Sequence, residues 1–252
     1  MKILVNNQLV EYTDEGSGRV ILLLHGWGMS LNTFDQLSNH LSKNFRLIRF
    51  DFPGFGQSPK PADNWLVSDY AKLSADLLDK LKIKQLFAVI GHSFGGRVII
   101  KGISLDYINP KKVILISSAG IKPKIKLKKS TYKVAAKIGK FVTSIPIINK
   151  MQPTLRNQLY KSAGSTDYLQ ANQMRKIFLN ITSEDLLPEV SEISQQTLLI
   201  WGSSDTITPP GDAKLILKSL QNGELVIIPD AGHLVYIDEP NRVIAELDKF
   251  LL

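Results

Sequence analysis

Residues 91–95 read Gly-His-Ser-Phe-Gly and follow directly on an apolar run, residues 86–90. An apolar run of this length predicts a buried strand, so we expect Ser93 to lie on the turn from that strand into a helix. Glycines on both sides suit a nucleophile, because it sits at strained backbone angles where larger neighbours would collide with the strand or the helix. A serine hydroxyl at such a turn could attack a carbonyl carbon once a base removes its proton.

An acid and an imidazole each follow a later apolar run. Asp205 comes shortly after residues 196–201, and His233 comes shortly after residues 225–229. His233 is the expected general base, and Asp205 would orient its ring and stabilise the imidazolium without taking the proton. An aspartate that only closes a turn is the alternative reading of Asp205. Asp230 is the rival acid, but it lies so close to His233 in the chain that a turn or capping role is more plausible.

The order Ser, Asp, His, with each residue placed after a strand, resembles the α/β-hydrolase superfamily. Residues 25–28, His-Gly-Trp-Gly, resemble the oxyanion loop of that family, and residues 51–58 resemble its next strand-end loop. The resemblance extends from residue 20 to residue 252. It implies an α/β-hydrolase fold with active residues on loops at the carboxyl ends of the strands.

Two backbone N–H groups are expected to stabilise the oxyanion of a tetrahedral intermediate. The family pattern assigns them to Trp27, in the oxyanion loop, and to Phe94, the residue after the nucleophile. The side chains of Trp27, Met29 and Phe94 are also candidate substrate contacts, with packing against the protein as the alternative.

Strand-like and helix-like segments alternate along the chain, which predicts an α/β protein with a mostly parallel eight-stranded sheet flanked by helices. The predicted strands lie near residues 3–5, 9–12, 20–24, 46–50, 86–90, 112–117, 196–201 and 224–228, and the predicted helices span 31–42, 66–81, 95–105, 212–220 and 240–251. The alternation stops near residue 120. We therefore expect residues 1–120 and 190–252 to form the core domain and residues 121–189 to form an inserted helical lid, or cap.

Positive charge is concentrated in and just before the expected lid. Residues 107–166 contain thirteen Lys or Arg and no Asp or Glu, whereas the whole chain carries only +8. One interpretation is a lid helix whose lysines stay solvated. The other is a surface that meets an anionic carrier protein, a membrane surface or an anionic substrate. Nucleic acid is not expected, because no aromatic interleaving or known binding module accompanies the lysines.

Composition sets further limits. The chain has 252 residues, 44% of them hydrophobic, so it can bury a large core, and its lack of cysteine excludes disulfides and thiol catalysis. The apolar start, residues 1–5, is too short for a signal peptide, and no apolar run reaches the ~18 residues of a membrane span. We expect a soluble, cytoplasmic protein that uses no metal or other cofactor.

These features predict a serine hydrolase that cleaves carboxylic esters or thioesters through an acyl-enzyme on Ser93. The motifs are similar to those of small carboxylesterases and of the carrier-protein methyl esterases of biotin synthesis. Serine disfavours the relatives that carry Asp or Cys as nucleophile, such as haloalkane dehalogenases, epoxide hydrolases and dienelactone hydrolases. Two alternatives stay open: hydrolysis of carbon–carbon bonds in vinylogous diketones, and a ligand-binding or receptor module with little turnover.

Overall fold

The structure is a computed structural model that describes residues 1–61, 64–122 and 174–252. Most of the expected lid, including the lysines at 124–150, lies outside the described residues. The division into a core domain and a lid therefore stays a prediction.

One eight-stranded sheet runs through the described residues in the order β1-β2-β4-β3-β5-β6-β7-β8. Its strands are β1 (Lys2–Val5), β2 (Gln8–Glu15), β3 (Val20–Leu24), β4 (Arg46–Phe50), β5 (Ala88–His92), β6 (Lys112–Ile116), β7 (Gln196–Gly202) and β8 (Gly223–Ile228). β2 pairs antiparallel with β1 and β4, and the other neighbours pair in parallel. The predicted mostly parallel sheet is confirmed.

Helices flank both faces of this sheet. Those described are α1 (Asp35–Leu41), α2 (Val67–Lys80), α3 (Phe94–Ser104), α4 (Arg175–Ser183), α5 (Leu187–Val190), α6 (Pro210–Ser219), α7 (Val235–Asp238) and α8 (Pro240–Leu251). The predicted helix over 240–251 matches α8, whereas the predicted helix over 31–42 begins as a separate 3₁₀ turn, Leu31–Phe34. The N–H of Leu31 donates to Asp51 and its carbonyl accepts from Arg49, so tertiary contacts use these backbone groups.

The side chains of β3 show why the strands appear in the sequence as unbroken apolar runs. Ile21 and Leu23 pack into a cluster on the α1 and α8 face, while Leu22 and Leu24 pack into a cluster on the α2 and α3 face. Because successive strand residues point to opposite faces, a strand covered on both sides is apolar at every position.

The parallel strands place the loops of interest at one edge of the sheet. β3, β5, β7 and β8 run in the same direction, and their carboxyl ends lead to the loops that carry Trp27, Ser93, Asp205 and His233 respectively. These residues, which lie far apart in the chain, therefore meet on one side of the molecule. Within the described ranges no helix is long and apolar enough to cross a membrane.

The close approach of α3 to β3 depends on a missing side chain at Gly95. A Cβ at this position would overlap the carbonyl group of Leu24. We predict that Gly95→Ala lowers the free energy of unfolding by about 1–3 kcal/mol, because the overlap is with backbone that cannot easily move. Urea denaturation measures this change.

Gly211→Ala is the matched control, since a Cβ at Gly211 in α6 would meet no atom within 4 Å. Alanine is also the better helix former, so this control should hold or slightly raise stability. Equal effects of the two substitutions would contradict the packing argument.

Candidate active site

Ser93 lies between the last residue of β5 and the first residue of α3, with φ 51° and ψ −107°. A positive φ is uncommon for a residue other than glycine and costs on the order of 1–3 kcal/mol. The surrounding backbone holds the strained turn. Ser93 N–H donates to the carbonyl of Ile116 at 3.1 Å, and its own carbonyl accepts from Gly96 at 3.1 Å and from Ala119 at 3.0 Å. The serine is thus presented, partly exposed, at the carboxyl end of β5.

The predicted acid and imidazole are in direct contact. His233 Nδ1 lies 2.9 Å from Asp205 Oδ2, with the aspartate side chain fully buried and the histidine side chain 13% exposed. An ionised carboxylate can only accept, so Nδ1 carries a proton, and whenever the ring is neutral Nε2 keeps its lone pair. The imidazole is therefore oriented to accept a proton at Nε2.

Hydrogen bonds keep Asp205 ionised although it is buried. Its Oδ1 accepts from the N–H groups of Ile207 at 2.9 Å and Thr208 at 3.0 Å. Burial opposes ionisation, but the hydrogen bonds from His233 and Thr208 and the charge of protonated His233 outweigh it, so the pKa of Asp205 lies below its ordinary value. An acid with a depressed pKa is suited to stabilising an imidazolium.

Thr208, which the sequence analysis did not single out, also contacts this pair. Its hydroxyl oxygen lies 2.8 Å from Asp205 Oδ2, 3.1 Å from the carbonyl of Ser117 and 3.2 Å from His233 Nδ1. Trp201 fixes the backbone here by donating its indole N–H to the Thr208 carbonyl at 2.7 Å. The only signal in the sequence is that Thr208 follows Asp205 closely, which does not reveal the contact with His233.

The loop that carries His233 is held against the end of β7. Asp238 accepts the N–H of Gly232 at 2.8 Å, and a Cβ at Gly202 would overlap the carbonyls of Ala231 and Gly232. Asp230, the rival acid, lies at a turn with φ 62° and is exposed to solvent. The carboxylate bonded to His233 is therefore that of Asp205.

His92, the residue before Ser93, connects the serine turn to the histidine loop. Its ring is fully buried, and its Nε2 donates to the carbonyl of His233 at 3.0 Å. The ring also faces the oxyanion loop, because a Cβ at Gly26 would lie 2.7 Å from His92 Nδ1. Burial, and then the nearby His233, keep the pKa of His92 well below its ordinary value, so the ring stays neutral.

Ser93 and His233 lie at the same edge of the sheet, but no direct hydrogen bond joins them. The rings of His92 and His233 lie 4.8 Å apart, but among the residues that the structure describes no hydrogen bond joins Ser93 Oγ to His233. In unliganded enzymes such bonds are often long and tighten only when substrate binds.

His25 shapes the predicted oxyanion loop. Its Nε2 accepts the N–H of Phe52 at 2.9 Å, so Nδ1 carries the proton and donates to the carbonyl of Gly26 at 2.8 Å. Burial lowers the pKa of His25, which keeps the ring neutral in this arrangement. The loop that carries Trp27 is thus tied both to His25 and to the loop after β4.

The two predicted oxyanion donors are free of competing backbone acceptors. Phe94 is the first residue of α3, so its N–H has no intrahelical partner. In the described ranges no backbone carbonyl accepts the N–H of Trp27. Their role as an oxyanion hole stays a prediction.

The candidate substrate contacts differ in exposure. The Trp27 and Met29 side chains are partly exposed, whereas Phe94 is 2% exposed and packs on Phe52 and Tyr70. Trp27 also meets Phe178 of α4, with ring centres 5.2 Å apart, a contact that the sequence did not indicate. None of the described side chains forms a His, Asp or Glu group that could hold a metal ion.

The buried His92 makes the stability of the chain depend on pH. Unfolded histidine takes up a proton near pH ~6.5, whereas folded His92 does not until much lower pH. The stability gained from the neutral ring is therefore fully present above the unfolded pKa and is lost as pH falls below it.

In the parent protein we expect the free energy of unfolding to decrease as the pH is lowered from about 6 to 5. We predict that His92→Gln makes this decrease smaller by up to about 1.4 kcal/mol per pH unit. Urea titrations of both proteins at several pH values measure the slope. Identical slopes for the variant and the parent would show that folded His92 already carries a proton in this range.

Comparison with known proteins agrees with the fold. Residues 21–247 match the model of the alpha/beta hydrolase family. AB hydrolase superfamily protein YisY of Bacillus subtilis is 29% identical over 94% of this chain and 93% of its own length. Pimeloyl-[acyl-carrier protein] methyl ester esterase of Nitrosomonas europaea is 24% identical over 92% of this chain and 96% of its own.

Solved structures share the same architecture. An esterase from Exiguobacterium antarcticum superposes with a TM-score of 0.83 at 22% identity, covering 99% of this chain and 98% of its own. The enol-lactonase from Burkholderia xenovorans LB400 superposes with a TM-score of 0.82 at 19% identity, covering 100% of this chain and 99% of its own. Because the matched family model covers residues 21–247, which is most of the chain, the chain belongs to the alpha/beta hydrolase family.

Proposed function

We propose that this hydrolase is a serine esterase that cleaves carboxylic esters or thioesters through an acyl-enzyme on Ser93. The observation that carries the proposal is the strained turn of Ser93, tied by His92 to a histidine that is hydrogen-bonded to a buried carboxylate. A hydroxyl, a base and an orienting acid at the carboxyl ends of three parallel strands of one sheet are the parts that acyl transfer needs.

In the proposed mechanism, His233 Nε2 takes the hydroxyl proton of Ser93 as Oγ attacks the carbonyl carbon of the ester. The N–H groups of Trp27 and Phe94 stabilise the oxyanion, and Asp205 stabilises the imidazolium. His233 then passes the proton to the leaving alcohol or thiol. A water molecule, deprotonated by His233, then attacks the acyl carbon. His233 returns this proton to Ser93 Oγ as the carbon–oxygen bond breaks, which releases the carboxylic acid and restores both side chains.

The similarity to named esterases supports the ester class of substrate. The Nitrosomonas relative is described as a methyl ester esterase, and the Exiguobacterium structure as an esterase. The partly exposed ring of Trp27, next to the proposed oxyanion donors, suits an apolar group on the substrate.

Loss of the nucleophile or of the acid should abolish most ester hydrolysis. We predict that Ser93→Ala lowers kcat on a series of chromogenic acyl esters by at least about a thousandfold, and that Asp205→Asn lowers it by about 10³–10⁴-fold. Asp230→Asn is the matched control on the same side of the sheet and should keep close to the parent rate. A loss with Asp230→Asn and none with Asp205→Asn would contradict the assigned acid, and full activity of Ser93→Ala would contradict the proposed nucleophile.

We propose in addition that the basic segment, residues 107–166, recruits a substrate attached to an anionic carrier protein. Its support is the local excess of positive charge in the sequence, together with the carrier-bound substrate in the name of the Nitrosomonas relative. Opposite charges raise the rate of encounter, and salt screens them.

Reversing Lys126, Lys128 and Lys129 to Glu should lower kcat/KM for an acyl-carrier-protein ester by about tenfold at low salt, while a small neutral ester is hydrolysed as before. The control is the same reversal at Lys43, Lys80 and Lys84, which are exposed elsewhere on the chain. Equal losses on both substrates would show that the substitutions disturb the site rather than the recruitment of a carrier.

A further inference from the structure

Helix α4 brings an aromatic ring to the candidate active site. Met174, Ile177 and Ile181 are at most 2% exposed and belong to the core cluster on the α2 and α3 face of the sheet. Their spacing is that of one helical face, so α4 is seated on the core along its length. Phe178 lies on the same side of the helix and contacts Trp27, whose N–H is a proposed oxyanion donor.

The carboxyl end of α4 is held by an arginine of the helix that follows the nucleophile. Arg97 lies one turn after Ser93 in α3 and is 5% exposed. Its Nη1 donates to the carbonyls of Ile181 at 3.0 Å and Glu184 at 2.9 Å. The last carbonyls of a helix lack intrahelical donors and carry partial negative charge, so a buried cation is well placed there.

A second cation of α3 reinforces this contact. Lys101 Nζ lies 2.7 Å from carboxylate oxygens of both Glu184 and Glu189, and its side chain is 12% exposed. Two successive turns of α3, through Arg97 and Lys101, therefore contact the end of α4 and the following helix α5. These contacts connect α3, which begins directly after Ser93, to α4, which contains Phe178.

We propose that Phe178 limits the length of the acyl chain that the site accepts, and that Arg97 is a positioning residue that holds Phe178 against Trp27 through α4. This inference rests on the proposed esterase function. The Phe178 ring lies against Trp27, with ring centres 5.2 Å apart. An acyl chain whose carbonyl binds at the proposed oxyanion donors would meet these two aromatic side chains, and in this proposal Phe178 blocks the path of a longer chain.

A double-mutant cycle with butanoyl and dodecanoyl esters tests the proposal. Phe178→Ala should raise the ratio of kcat/KM for the long ester over the short one by about tenfold or more. Arg97→Met should raise the same ratio by a smaller factor, because it releases α4 without removing the ring. The double variant should match Phe178→Ala alone, since Arg97 acts through Phe178.

Hydrogen exchange of the backbone amides of residues 175–183 measures how firmly α4 is held, and it needs no substrate. Exchange should accelerate in Arg97→Met and stay unchanged in Arg46→Met. Arg46→Met is the control because it removes an arginine that makes two hydrogen bonds to the Asp14 carboxylate, between β2 and β4. An unchanged ester ratio in Phe178→Ala, fully additive effects in the cycle, or unchanged exchange in Arg97→Met would each overturn the proposal. If the parent protein hydrolyses no ester, the proposed function fails, whereas the exchange result still decides the role of Arg97.

Discussion

The site depends on one hydrogen bond, from His92 Nε2 to the backbone carbonyl of His233. β5 and β8 are separated by two strands in the sheet, so the turn after β5 and the loop after β8 need a connection across that gap. A buried imidazole supplies it and at the same time packs on Gly26, where a Cβ would come within 2.7 Å of the ring. Three loops are thereby fixed around one neutral side chain.

Burial separates the histidines of the site by role. His25 and His92 are fully buried, and burial lowers the pKa of each, so both act as neutral hydrogen-bonding groups. His233 keeps 13% of its side chain exposed and has the Asp205 carboxylate at 2.9 Å to balance a positive charge. The imidazole that gains and loses a proton in the proposed mechanism is thus the one that is partly open to solvent and paired with an acid.

Local sequence pattern was sufficient for the sheet but not for every helix. Strands buried on both faces, such as β3, are apolar at each position and are easily recognised, and α8 is found with its observed ends because its apolar stripe is regular. The 3₁₀ turn at Leu31–Phe34 could not be predicted, because Asp51 and Arg49 bind the backbone of Leu31 from other parts of the chain.

The same limit applies to the site. Ser93, Asp205 and His233 follow recognisable strand ends, and the motif order indicates them. Thr208, Phe178 and Arg97 carry no such signal, because their contacts join residues brought together only by folding; Arg97 meets a carbonyl 84 positions away.

Reaction with an alkyl fluorophosphonate tests most directly whether Ser93 is a nucleophile activated by His233. The reagent forms a stable covalent bond with an activated serine, and peptide mass spectrometry locates it. We predict an adduct on Ser93 in the parent protein and a greatly slowed reaction in His233→Gln. An adduct on another residue, or labelling of Ser93 at an equal rate in His233→Gln, would contradict the serine-hydrolase mechanism.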